Sequence, residues 1–257
     1  MDLHLRNRVI VITGGTDGLG AALAKSLLAE GARVAICGRD PERLAQARSE
    51  LKTDDARLLA LTADVTVPSD MERLIGEVTN QWHRIDGLVN NAGAASGGRV
   101  LDLSDQKWTQ DFDLKVVAAA RLIRLALPHM SEGGSIINVL AIAARAASAS
   151  SLPSSASRAA GLALTKAASK ELAAGGIRVN AILIGIVKSN QWVTRAKDSG
   201  RPVEEMYAEL AKESAIPLGR VGEAQEFADL ASYLLSDRSS YISGSAINLD
   251  GGLSPAI

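Results

Sequence analysis

The chain is poor in the residues that do redox, metal and aromatic chemistry. Its 257 residues include one cysteine, three histidines, three tyrosines, three tryptophans and two phenylalanines. Cys37, alone in the apolar run "RVAIC", leaves no disulfide framework and fits a reducing compartment. His4, His83 and His129 are far apart and make neither a metal-ligating spacing nor a triad, so no metal site is expected. Neither sign of charge dominates: 28 Lys and Arg stand against 29 Asp and Glu, spread along the chain. That excludes a nucleic-acid footprint and a polybasic membrane patch. The longest apolar runs fall short of the roughly 20 residues that cross a bilayer. The opening "MDLHLRNRVIVITGG" has no basic segment followed by an apolar stretch and a cleavage site. The expectation is a cytoplasmic protein that acts on a small molecule, without membrane or nucleic-acid partners.

What is present is a regular alternation. Apolar residues make up 47% of the chain, enough for a sizeable core. "RVIVIT", "RVAIC", "RLLALTAD", "IDGLVN", "GSIINVL", "IRVNAIL" and "AINL" read as strands apolar on both faces, the mark of a parallel sheet covered on both sides. Helical patterns lie between them. The first places Ala21, Ala24, Leu27 and Leu28 on one face and stops at Gly31. The second opens with Asp40 as N-cap and Pro41 at the first helical position. Others start at "PSDMERLI" and cover about 105–130, 154–174 and 223–236. The order predicts an α/β fold: one doubly wound Rossmann domain over 1–257, with about seven parallel strands flanked by helices. The segment at about 190–215 breaks the alternation and is expected to be a lid or substrate loop with a helix or two of its own.

Directly after the first strand comes "TGGTDGLG". Gly14, Gly18 and Gly20 stand where strand turns into helix. Glycine there lets backbone N–H groups approach a pyrophosphate, and the helix N-terminus adds partial positive charge. An NAD site would place an acid near the end of the second strand to bind the ribose 2′-hydroxyl. Here the sequence is Ile36, Cys37, Gly38, Arg39, and a guanidinium suits a 2′-phosphate. NADP is therefore favoured, with NAD as the alternative. Against this, Arg39 could simply be a solvated residue paired with Asp40 or Glu42, and Asp17 puts a negative charge inside the glycine loop.

With "TGGTDGLG", then "NNAG" at 90–93, "RVNAI" at 178–182 and "DGG" at 250–252, the chain resembles the short-chain dehydrogenase/reductases over nearly its whole length. The resemblance implies a cofactor site built from Gly14, Thr16, Asp17, Gly18, Leu19 and Gly20 in the loop, with Arg39 beyond it. Asp64 and Val65 would lie at the adenine, Asn90, Ala92 and Gly93 in the supporting turn, and Arg158 beside the ribose. Gly185, Val187 and Ser189 would lie at the nicotinamide, where Ile184 stands in place of the usual proline. It also implies a homo-oligomer, a tetramer or a dimer.

The same resemblance implies a catalytic tetrad of asparagine, serine, tyrosine and lysine. Those positions here hold Lys115, Ala141, Ser154 and Arg158. None of Tyr207, Tyr233 and Tyr241 has a lysine four residues on, so a shifted register does not restore the motif. General acid catalysis contributes on the order of 10²- to 10⁴-fold. A serine hydroxyl is a far poorer acid than a phenol, and Arg158 stays protonated. Lys115, three residues after Phe112 and four before Ala119, falls on the apolar face of its helix. Facing inward, its pKa would be lowered by burial, and with Arg158 it would give the pocket two cations. That suits an anionic substrate, or an enolate formed from a conjugated alkene. Facing outward, it would snorkel or pair with Asp111. The serines at 148, 150, 151, 154 and 155 read either as hydroxyl donors or as a plain loop and cap. Gln191 and Trp192 are candidates for the pocket lining, and Tyr207 for a phenol carried on the lid.

Three functions follow. The first is an NADP-dependent oxidoreductase with a non-standard proton source, using Lys115, Ser154 and Arg158 on a small anionic or conjugated substrate. The second is a lyase or isomerase on the same fold. The third is a silent nucleotide-binding subunit. The preserved nicotinamide segment favours the first, by analogy with the family.

Overall fold

The computed structural model describes residues 2–257, without the side chains of Ser131, Glu132, Asn190, Gln191 and Thr194. Its elements run β1 (Val9–Thr13), α1 (Gly18–Ala29), β2 (Arg33–Gly38), α2 (Pro41–Leu51), β3 (Leu58–Thr62), α3 (Pro68–Trp82), β4 (Ile85–Asn90) and β5 (Gly97–Gly98). Then come α4 (Asp105–Phe112), a π-helical turn (Asp113–Val117), α5 (Ala118–Ala126), β6 (Met130–Ala141), β7 (Leu152–Pro153) and α6 (Ser154–Glu171). The chain closes with β8 (Arg178–Ile184), α7 (Asn190–Asp198), α8 (Val203–Glu213), α9 (Ala224–Leu235) and β9 (Ala246–Leu249).

Seven strands form one parallel sheet in the order β3-β2-β1-β4-β6-β8-β9. Successive side chains of a strand point to opposite faces, and β1 feeds both cores. Ile10 and Ile12 pack with Leu23 and Leu27 of α1, Leu44 of α2 and Phe227 of α9. Val9 and Val11 pack with Met71 and Leu74 of α3 and Leu122 of α5. Strands apolar on both faces are thus covered by helices on both faces, as the sequence pattern predicts. The strand order reverses between β1 and β4, and in open α/β sheets the crevice beyond that switch point is where ligands bind.

Element ends differ from the sequence expectation for local reasons. Helix α1 opens at Gly18, three residues early, because the Asp17 carboxylate accepts from the Gly18 N–H at 2.6 Å. Asp40 caps α2 as expected, accepting from the N–H groups of Glu42 and Arg43. The single helix expected over 105–130 is divided. In the π-turn the Ala118 N–H reaches back to the Asp113 carbonyl, and the last turn, Leu127–His129, is 3₁₀ around Pro128. The segment at about 190–215 holds two helices, α7 and α8, beside a small apolar cluster of Tyr207, Ala211, Ile216 and Val221.

Candidate active site

A cleft of about 550 Å³ opens beyond the carboxyl ends of the central strands. Its walls come from the loop after β1 (Gly14, Thr16, Asp17, Gly18, Leu19), the end of β2 (Gly38, Arg39) and Val65 after β3. Ala92 and Gly93 after β4, Ala141 of β6, Ser154 and Arg158 of α6, and Gly185 and Ser189 after β8 complete them.

The loop after β1 depends on its glycines, most plainly at Gly14 and Gly20. Gly14 has φ +64°, and a Cβ there would lie 3.1 Å from the Ala92 Cα. A Cβ on Gly20 would lie 2.2 Å from the Gly14 carbonyl oxygen. Asn91 locks the loop to the turn after β4: its Nδ2 donates to the carbonyls of Thr13 (2.9 Å) and Gly14 (3.0 Å). Thr13 Oγ1 accepts in return from the N–H groups of Asn91 and Ala92, both at 3.0 Å. Asn91 is absent from the residues singled out by sequence, although it stands inside the quoted turn.

Four of the cofactor candidates lie behind the wall rather than on it. Gly20 is the close approach just described. Asp64 turns its carboxylate to the Thr66 N–H and hydroxyl at 2.9 and 2.7 Å. Asn90 donates to Asn138 Oδ1 at 2.8 Å. Val187 is buried and bridges to Gly222. Arg39 lines the cleft with its side chain 73% exposed, and its nearest carboxylate is Asp64 at 3.9 Å rather than Asp40 or Glu42. Asp40 pairs instead with Arg43 at 3.5 Å, and Arg43 is a second guanidinium on the same wall. Its position four residues after Arg39, in the first turn of α2, was a usable signal. Cys37 also touches the cleft, but burial pushes its thiol to about 12, so it is chemically quiet.

Lys115 faces inward. It lies in the π-turn with its side chain 1% exposed. Its Nζ donates to Asp111 Oδ1 at 2.5 Å and to Ser154 Oγ at 2.7 Å. The sequence alternatives, inward or paired with Asp111, are therefore both realised, because Asp111 is itself buried. Burial lowers the Lys115 pKa, the hydrogen bond to Asp111 opposes this, and the nearby Arg158 charge adds to the lowering. Removing one partner of such a buried pair typically costs about 3–5 kcal/mol, because the other is left uncompensated.

The hydrogen-bond directions at Ser154 follow from donor capacity. An ammonium only donates, so the Ser154 hydroxyl accepts from Lys115 and keeps its own proton for another acceptor. Ser154 is on the cleft wall. The pair thus presents one hydroxyl proton to the cleft with a cation directly behind it.

Arg158 donates from Nη1 to the Val139 carbonyl at 2.5 Å, and its guanidinium lies 3.0 Å from where a Gly93 Cβ would be. Burial lowers its pKa, yet an arginine remains charged. Its Nε is one of three buried side-chain polar atoms without a hydrogen-bond partner among the described residues. Asp111 pairs with Lys115, and of these two cations Arg158 is the one left without an ion-pair partner among the described residues, so the expected pair of cations reduces to one.

The serine stretch is mostly self-contained: Ser151 Oγ donates to the Ser148 carbonyl and reaches Ser155 Oγ at 3.1 Å. Tyr207, on α8, is buried, its hydroxyl 3.5 Å from the Ser189 carbonyl, and Trp192 packs on the same cluster. The Gln191 side chain lies outside the described residues. Among the described residues no group of acidic, histidine or cysteine side chains could hold a metal ion.

The cleft fits a dinucleotide: a glycine cradle that admits no Cβ, a helix N-terminus beside it, two guanidinium groups at the far end and an unpartnered buried N–H of Arg158. The profile of the family described as Enoyl-(Acyl carrier protein) reductase matches residues 14–254. The 3-oxoacyl-[acyl-carrier-protein] reductase of Thermotoga maritima is 30% identical over 256 residues, covering 98% of this chain and 99% of that one. The L-sorbose reductase of Gluconobacter frateurii, solved with NADPH and L-sorbose, superposes with a TM-score of 0.94 at 31% identity over the full length of both chains. An NADPH-bound short-chain oxidoreductase of Pseudomonas aeruginosa PAO1, described as containing an atypical catalytic center, has a TM-score of 0.92 at 34% identity, covering 98% of this chain and 100% of that one.

Proposed function

The chain belongs to the short-chain dehydrogenase/reductase family, and we propose that it is an NADP-dependent oxidoreductase whose proton comes from Lys115 by way of Ser154. The observation that carries this reading is the 2.7 Å hydrogen bond from Lys115 Nζ to a serine hydroxyl that alone of the two opens on the cleft. The NADPH-bound relatives and the cleft's own cradle support the cofactor. Arg39 and Arg43, both on the cleft wall, would hold a 2′-phosphate, and Arg158 stands beside the turn at Gly93.

Bound NADPH supplies the hydride to a carbonyl carbon or to the β-carbon of a conjugated alkene. On a carbonyl, Ser154 gives its hydroxyl proton to the oxygen that becomes negative, and Lys115 gives a proton to Ser154 Oγ. Lys115 is left neutral and recovers its proton before the next turnover. On a conjugated alkene the same hydroxyl and the positive charge of Arg158 meet the enolate oxygen. With Asp111 paired to Lys115, Arg158 is the cation left to meet charge on the substrate oxygen, whether that charge is present at binding or develops as the hydride arrives. The enoyl reductase profile adds support for the conjugated class. The departures at Lys115, Ala141, Ser154 and Arg158 define an atypical site on this reading, in a cytoplasmic homo-oligomer, tetrameric or dimeric. Among the described residues no helix is long and apolar enough to cross a membrane.

The test is NADPH oxidation on a panel of simple ketones, 3-oxoacyl esters and conjugated enones, by wild type and by Lys115→Met. The reading expects turnover on at least one conjugated or carbonyl substrate. It expects loss of about 10²-fold or more in Lys115→Met with NADPH affinity retained, the scale of a general acid. Unchanged turnover in the variant would remove Lys115 from the chemistry.

A further inference from the structure

Asp111 is a buried acid that the proton route above does not consume. Its side chain is 5% exposed, and both carboxylate oxygens are engaged. Oδ1 accepts from Lys115 and Oδ2 accepts from Ser157 Oγ, each at 2.5 Å. Ser157 is fully buried. Its hydroxyl has one proton and two candidate acceptors, Asp111 at 2.5 Å and the Ser154 carbonyl at 3.0 Å; the shorter, charge-assisted bond takes it. Three elements thus meet at one carboxylate: α4 carries Asp111, the π-turn carries Lys115, and the first turn of α6 carries Ser154 and Ser157.

We infer that Asp111, fixed by Ser157, is a positioning residue that aims the Lys115 ammonium at Ser154 and keeps it protonated between turnovers. The inference rests on the reading of Lys115 as the proton source. Without Asp111, Lys115 would be an isolated cation in an apolar helix interface, facing the like charge of Arg158 from α6. Desolvation and that repulsion both favour its neutral form, and a neutral amine at this place is no acid. Asp111 and Lys115 are four residues apart, the spacing at which side chains on one helical segment are neighbours, and the π-turn at Asp113–Val117 carries Lys115 at its centre. Ser157 holds the carboxylate plane from the other side, so that Oδ1 and not Oδ2 faces the lysine. Neither Asp111 nor Ser157 lines the cleft, so each acts through Lys115.

The groups facing Lys115 are Asp111 and Arg158, with the neutral hydroxyl of Ser154. The experiment is the pH profile of kcat with NADPH and the best substrate from the panel, for wild type, Asp111→Asn and Ser157→Ala. The NADPH dissociation constant is measured alongside. Asp111→Asn removes the opposing charge, so the pH above which kcat declines should fall by about 1–3 units, the scale of one close opposite charge. Ser157→Ala frees the carboxylate from a competing donor, so the same limb should stay in place or rise while kcat falls, with KM little changed. A purely structural role would lower thermal stability in both variants and move neither limb. An unmoved limb in folded, NADPH-binding Asp111→Asn would overturn the inference. If that variant does not fold, Ser157→Ala decides: a raised limb or a selective loss of kcat supports the inference, and wild-type kinetics overturn it. These outcomes stand apart from those of Lys115→Met. If Lys115→Met keeps full activity, the proton-source reading fails first; if it is inactive while Asp111→Asn behaves as wild type, only the positioning role fails.

Discussion

Lys115 and Ser154 are 39 residues apart in sequence and 2.7 Å apart in space, and the bond between them has a direction: the ammonium gives and the hydroxyl receives. A serine alone is a far poorer acid than a phenol, and giving up its proton would leave it an alkoxide in turn. A serine backed by a buried ammonium has a source from which its proton is replaced as it leaves. The consequences can be measured separately.

Wild-type activity should depend on pH through Lys115. Its pKa lies below the ordinary lysine value, chiefly because of burial. As a general acid it works when protonated, so kcat should be flat at low pH and decline as pH rises through that lowered value. A profile that rises across the same range would mean that the group acts as a base.

NADPH should bind more tightly than NADH, through Arg39 and Arg43 at the cleft wall. A charge-assisted hydrogen bond is worth about 1.5–3 kcal/mol, and less for a guanidinium as exposed as Arg39. Each Arg→Ala change should therefore weaken NADPH by about 10-fold or less and leave NADH almost untouched, as read by fluorescence titration. Equal binding of the two cofactors by wild type would contradict the assignment.

Gly20→Ala should disable the cradle. The added Cβ would lie 2.2 Å from the Gly14 carbonyl, with Asn91 Nδ2 at 2.7 Å on another side. Overpacking of this kind costs about 1–3 kcal/mol, and here the backbone that must move is the cofactor loop. The measurement is the thermal midpoint with and without NADPH. The stabilisation by NADPH should shrink more than the midpoint of the free protein does.

Restoring the residues that the family resemblance implies should shift the chemistry toward simple ketones. The set is Lys115→Asn, Ala141→Ser, Ser154→Tyr and Arg158→Lys. Position 154 opens on the cleft, so a phenol has somewhere to go. Lys115→Asn, however, strips Asp111 of its partner, so recovery should be partial and should appear in the quadruple variant rather than in any single one. Comparable ketone turnover in wild type and the quadruple variant would show that the altered residues do not set the reaction.

The fold was legible because its strands are apolar on both faces and its helices carry their own start signals. Asp40 with Pro41 is one such signal, and the glycine loop after β1 is another. Helical periodicity put Lys115 on the apolar face but left inward and outward both open. Its environment was not legible. Asp111 and Ser157 meet across 46 residues, and the π-turn that follows Asp111 has no sequence signature of its own. Sequence pattern therefore suggested two inward cations, whereas the buried carboxylate leaves only Arg158 uncompensated. Arg43 reads equally as a helix-surface residue, and Asn91 is one of four residues in a turn whose pattern does not separate them.

The most direct test is a crystal structure with NADP and a non-reducible carbonyl analogue bound. The account expects Ser154 Oγ about 2.6–3.2 Å from the analogue oxygen, above the nicotinamide, with Lys115 behind it and still bonded to Asp111. An analogue oxygen held by another group, such as the Tyr207 phenol brought down by the lid, with Ser154 turned away, would contradict it.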